Sequence, residues 1–116
     1  MGLHRIDLEL PPGPIAPRVA REALSAVDPN PVVLLVASEL VTHAVRYGAP
    51  PIRLAATSID GSVRLEVCDR GPDWQWSGDM LARRIITRWS IDWGVDANPG
   101  GKCAWAIVAG DCDAPA

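Results

Sequence analysis

The chain has 116 residues, 48% of them hydrophobic, with 11 Lys+Arg against 14 Asp+Glu and a formal net charge of −3, the makeup of one folded domain rather than a disordered segment. Its unbroken apolar runs, Val32 to Ala37 among them, fall far short of the ~20 residues a membrane-spanning helix requires, and no basic segment leads into an apolar stretch at the start. A cytoplasmic protein is expected. The acidic balance without a basic cluster argues against a duplex nucleic-acid binder, whose affinity rests mainly on neutralising phosphates.

The elements follow in chain order. Leu3 to Leu10 alternates, with Ile6, Leu8 and Leu10 on one side and Arg5, Asp7 and Glu9 on the other, and reads as a half-buried strand. Pro11, Pro12, Gly13 and Pro14 end it. Ile15, Val19, Ala23, Leu24 and Val27 then recur at helical spacing as far as Asp28 and Pro29. Asn30 before Pro31 marks the start of a second helix, because the Asn side chain caps free N–H groups and Pro has none to lose at the first helical position. That helix is predicted to reach Tyr47, with Gly48 as a left-handed stop and Pro50 and Pro51 preventing continuation.

Ile52 to Ile59 and Ser62 to Cys68 read as strands joined by Asp60 and Gly61, a pair suited to the positive backbone angles of a tight hairpin turn. A loop bearing Trp74 and Trp76 leads to a third helix around Leu81 to Trp89. Ile91 to Asp96 and Lys102 to Ala109 form a second hairpin across Asn98, Pro99, Gly100 and Gly101, and the tail 110–116 is expected to fray. The order β-α-α-β-β-α-β-β predicts a two-layer α/β sandwich over residues 3–109, with helices on one face of a mixed, mostly antiparallel sheet.

Cys68, Cys103 and Cys112 contain no CxxC pair and leave an odd thiol, which suggests neither a disulfide framework nor a four-ligand zinc site. On the second helix Glu39, Thr42, His43 and Arg46 sit at i, i+3, i+4 and i+7, a polar stripe opposite Val33, Leu34, Val36, Ala37, Leu40 and Ala44. An ordinary solvated face would hold Glu39 and His43 in a contact of about 0.2–0.5 kcal/mol. One turn apart, the same pair could chelate a metal, but zinc takes three or four ligands and only His4 or Cys68 offers itself as a third. Trp89, Trp93 and Trp105 read as core or interface residues, and Arg83 and Arg84 as a solvated helix edge. For Trp74 and Trp76 three readings stand: a plug in a pocket, an anchor for another protein, and plain packing.

The run Glu39-Leu40-Val41-Thr42-His43-Ala44-Val45-Arg46-Tyr47-Gly48, followed after a hairpin by Val67-Cys68-Asp69-Arg70-Gly71-Pro72, resembles the GHKL ATPase superfamily, and within it the bacterial anti-sigma-factor serine/threonine kinases. The likeness extends to Trp93-Gly94-Val95 and Gly101-Lys102-Cys103-Ala104-Trp105. It implies the two-layer fold of that superfamily, ATP as ligand, a sigma factor and an anti-anti-sigma protein as partners, and a possible homodimer. By the same resemblance Glu39 is the general base toward a hydroxyl, Asp69 accepts a hydrogen bond from the adenine amino group, and Gly71 lets the base approach the backbone. His43 stands where the family has a magnesium-holding Asn. Imidazole nitrogen suits hard Mg²⁺ poorly, which leaves His43 to hydrogen-bond a phosphate directly or to act through a metal-bound water. Cys103 stands where the family carries a base-contacting Thr, and a thiol is a weaker donor and acceptor. The glycine-rich phosphate lid corresponds to Trp74-Gln75-Trp76-Ser77-Gly78-Asp79-Met80-Leu81, with one glycine and an added negative charge. These departures open an alternative, a protein-binding module that keeps the fold with little or no ATP chemistry.

Overall fold

The computed structural model describes residues 4–72 and 80–110, the side chains of His4 and Ile59 excepted. Five strands and three helices follow the predicted order: β1 (His4–Leu10), α1 (Ala16–Leu24), α2 (Pro31–Tyr47), β2 (Ile52–Ile59), β3 (Ser62–Asp69), α3 (Met80–Trp89), β4 (Asp92–Asn98) and β5 (Gly101–Ala109). The strands form one sheet in the order β1-β2-β3-β5-β4, and every neighbouring pair is antiparallel. The connection through α3 crosses from β3 to β4, which run the same way, but β5 lies between them, so no two neighbouring strands are parallel and the sheet is antiparallel rather than mixed. The result is a two-layer α/β sandwich.

Alternation along each strand decides which side chains enter the core. Leu54, Ala56, Val63, Leu65, Val67, Ala104, Ala106 and Val108 are buried on one face, against Leu24 of α1, Val33, Val36, Ala37, Leu40, Val41 and Ala44 of α2, and Ile86 of α3. Arg53, Arg64, Glu66, Cys68, Cys103 and Trp105 occupy the alternate positions and are exposed or half-buried. One covered face and one facing solvent is the usual arrangement of an antiparallel sheet.

Local chemistry sets the element ends. The Asn30 side chain accepts a hydrogen bond from the Val32 N–H at 2.8 Å, the cap expected at the start of α2. Asp60 (φ 51°) and Gly61 (φ 79°) both take the left-handed angles that a two-residue hairpin turn demands. Helix α1 ends at Leu24 rather than Val27, and the Leu24 carbonyl accepts both a tight three-residue bond from the Val27 N–H and a four-residue bond from the Asp28 N–H. Gly48 is extended (φ −100°, ψ −159°), not left-handed, so its lack of a side chain answers a different requirement, met at the site below. The tail 111–116, with Cys112, and the Trp74 and Trp76 loop lie outside the described residues.

Among the described residues no helix is long and apolar enough to cross a membrane.

Candidate functional site

Asp69 is the last inward-facing residue of β3, and Lys102 the first of β5; the strand register sets them opposite each other. Their side chains are each 1% exposed, and Lys102 Nζ lies 2.8 Å from Asp69 Oδ1. Lys102 is the sole lysine of the chain, every other basic residue being Arg. Its compact ammonium on an unbranched stem can reach a buried carboxylate beneath the sheet end, where a planar guanidinium needs more room.

The same Oδ1 accepts the Gly71 N–H at 2.6 Å and, more weakly, the Ala49 N–H at 3.3 Å. The Arg70 N–H donates to the Ala49 carbonyl at 2.9 Å, so the exit of α2 and the end of β3 are tied by this backbone bond as well as by the carboxylate. A Cβ on Gly48 would run into the Asp69 carboxylate, and one on Gly71 would lie 2.7 Å from Gly48 Cα and 2.9 Å from Asp69 Oδ1. Gly101 (φ +147°) brings the β5 backbone against the Asp69 carbonyl. Two glycines thus clear space for the Asp69 carboxylate and a third for its backbone. Asp69 Oδ2 is buried and accepts no hydrogen bond from the described residues.

His43 belongs to the buried side of α2, fully enclosed, with its ring 4.8 Å from that of Tyr47. This corrects the predicted stripe: Glu39 and Thr42 are half-buried and Arg46 exposed, while His43 shares the inner face with Val36 and Leu40. The physical reason is that α2 is covered on several sides at once, by α1, α3 and the sheet, which widens its buried arc beyond the single stripe of a surface helix.

Cys103 is also displaced from its expected place. It lies on the solvent face of the sheet, away from Asp69, and forms a disulfide with Cys68, its register partner on β3. Spacing along the chain had suggested no disulfide; pairing across the sheet supplies one. A period-two count back from Val108, Ala106 and Ala104 puts Lys102 inside and Cys103 outside, so the signal for Lys102 was present in the strand alternation.

The remaining landmarks divide. Trp93 packs partly against the core, Trp105 is half-buried on the outer face with Arg64 stacked over it at 5.4 Å, and Trp89 lies at the surface beside the Arg88 guanidinium at 4.6 Å. Arg83 and Arg84 are exposed, as expected of a helix edge.

Chemically, the site offers a carboxylate whose charge is already balanced by an ammonium and whose Oδ1 is saturated with donors. Mg²⁺ does not fit there: the metal prefers several oxygen ligands, and the buried group supplied by α2 is an imidazole. Purine fits only in part, because Lys102 already donates to Asp69 and leaves Oδ2 as the remaining acceptor. Neither models of known protein families nor curated proteins match this sequence.

Proposed function

We propose that this chain is a regulatory protein-binding module on a GHKL-like sandwich, working in bacterial transcriptional signalling without productive ATP chemistry. The observation that carries the reading is the Asp69–Lys102 pair at 2.8 Å, with both side chains 1% exposed. By resemblance, Asp69 is the acceptor for the adenine amino group. Here an internal cation supplies the donor, and a nucleotide would have to displace a buried charge partner or share its carboxylate. His43 in place of an oxygen ligand for Mg²⁺ points the same way. The partners proposed, again by resemblance, are a sigma factor and an anti-anti-sigma protein, in the cytoplasm.

A second reading, ATP binding with Glu39 as base toward a protein serine, draws on one observation. Asp69 Oδ2 is buried without a hydrogen bond and could accept an amino N–H.

Thermal-shift titration with ATP and ADP, with and without Mg²⁺, on the native chain and on Lys102→Thr separates the two. Ligand at 100 times its dissociation constant stabilises by about 2.7 kcal/mol, a readable shift in a domain this small. The module reading expects no shift in the native protein at millimolar nucleotide and a shift in Lys102→Thr. A shift in the native protein overturns the module reading and supports the ATP binding of the second. No shift in either protein removes Asp69 from any role with adenine.

A further inference from the structure

The solvent face of the sheet carries a group of ligands that the proposed function does not use. Cys68 and Glu66 are two apart on β3 and point the same way, and Cys103 stands opposite Cys68 on β5. The two sulfurs and a Glu66 carboxylate oxygen all lie within 4.8 Å of one another, each residue half-buried. We propose that the dithiol form of Cys68 and Cys103, together with Glu66, is a binding site for a thiophilic divalent cation of the zinc type. This inference is independent of the reading of Asp69.

The disulfide and the metal site are two states of the same residues. In a thiol-reducing compartment disulfides rarely persist, and paired cysteines there are more often metal ligands or redox groups. A small-molecule thiol reduces the bond, two RSH giving RSSR and two protein thiols. The cation then replaces both thiol protons, which pass to solvent. Two thiolates and one carboxylate make a tetrahedral set with the fourth position open to water, and soft sulfur selects zinc-like ions over Mg²⁺ or Ca²⁺. With Zn–S near 2.3 Å, the sulfurs must stand about 3.8 Å apart in a tetrahedral site. The Cα atoms, 4.0 Å apart, allow this through side-chain rotation alone.

The surroundings suit the charge. Three anionic ligands leave one negative charge beyond a divalent cation. Arg64 already pairs with Glu66 at 3.4 Å, and Arg53, opposite Cys68 on β2, is held by Asp7 at 2.6 Å, so it is kept off the sulfurs. Arg64 is exposed enough to swing away from one carboxylate oxygen and leave it for the metal. Asp96 stands opposite Cys103 on β4 and adds a further acidic neighbour. An open pocket of about 280 Å³, bordered by both cysteines and by Arg70 and Asn98, gives the ion an entry path. Both ligand-bearing strands are interior to the sheet, so the ligands rest on a rigid base.

The test is an anaerobic titration of the reduced full chain with Co²⁺ and then Zn²⁺, following the thiolate-to-cobalt charge-transfer band and proton release. A Cys112→Ser background removes the third thiol. Expected are one ion per chain, release of up to two protons, displacement of Co²⁺ by Zn²⁺, and no band in the oxidised protein. Cys68→Ser should abolish the band. Glu66→Gln, which leaves both cysteines in place, should weaken binding about tenfold or more while the thiolate band persists. Circular dichroism of each protein confirms the fold before titration. The proposal is overturned by the lack of a saturable band in folded reduced protein, by a band that survives Cys68→Ser, or by Glu66→Gln binding as tightly as the native chain.

Discussion

Replacing Lys102 with Met keeps an unbranched side chain of similar length and removes the ammonium from Asp69. At 2.8 Å and an effective dielectric of about 20, the lost attraction is about 6 kcal/mol. In the native protein much of that is offset by the cost of taking both charges out of water. In the variant the carboxylate keeps its own desolvation with only the Gly71 and Ala49 N–H groups as donors. Breaking a buried pair from one side in this way costs about 3–5 kcal/mol. For a domain of 116 residues, about 4 °C of melting temperature per kcal/mol makes the expected drop about 12–20 °C, measured by calorimetry or by circular dichroism on heating. The double variant Asp69→Asn/Lys102→Met removes both charges and keeps an oxygen to accept the two backbone N–H groups, so it should recover most of the loss. A cost for Lys102→Met of less than about 1 kcal/mol, or a double variant no more stable than the single one, would show that the pair does not hold the buried carboxylate.

Three further outcomes follow from the same structure. Asn30→Ala removes the cap on α2 and should cost about 0.5–2 kcal/mol in urea unfolding, with no change in slope. Gly71→Ala sets a methyl group 2.7 Å from the Gly48 backbone, which has no flexible end to yield, and should lower stability by about 1–3 kcal/mol in the same assay. Leu40→Ala empties a position 1% exposed at the centre of the helix layer, and its unfolding free energy should fall by about 2–5 kcal/mol.

Local pattern made nearly every element legible. The alternation of Ile6, Leu8 and Leu10, the Asn30-Pro31 start and the Asp60-Gly61 turn each act over a few residues, so a linear reading recovers them. Gly48 shows where such reading stops: its place after a helix suggested a left-handed cap, yet what requires a glycine there is a carboxylate from a strand about twenty residues on.

The order of elements, their inward faces and the two-layer class are therefore written in the linear chain, because periodicity and turn chemistry are local. The tertiary structure decided the site. Lys102 became the counter-ion of Asp69, and Cys103 left the base site for Cys68, because antiparallel register sets side chains opposite one another across 33 and 35 residues of chain. His43 became core because two helices and the sheet converge on α2. Each is a contact between distant segments, fixed by packing that no short window of residues records.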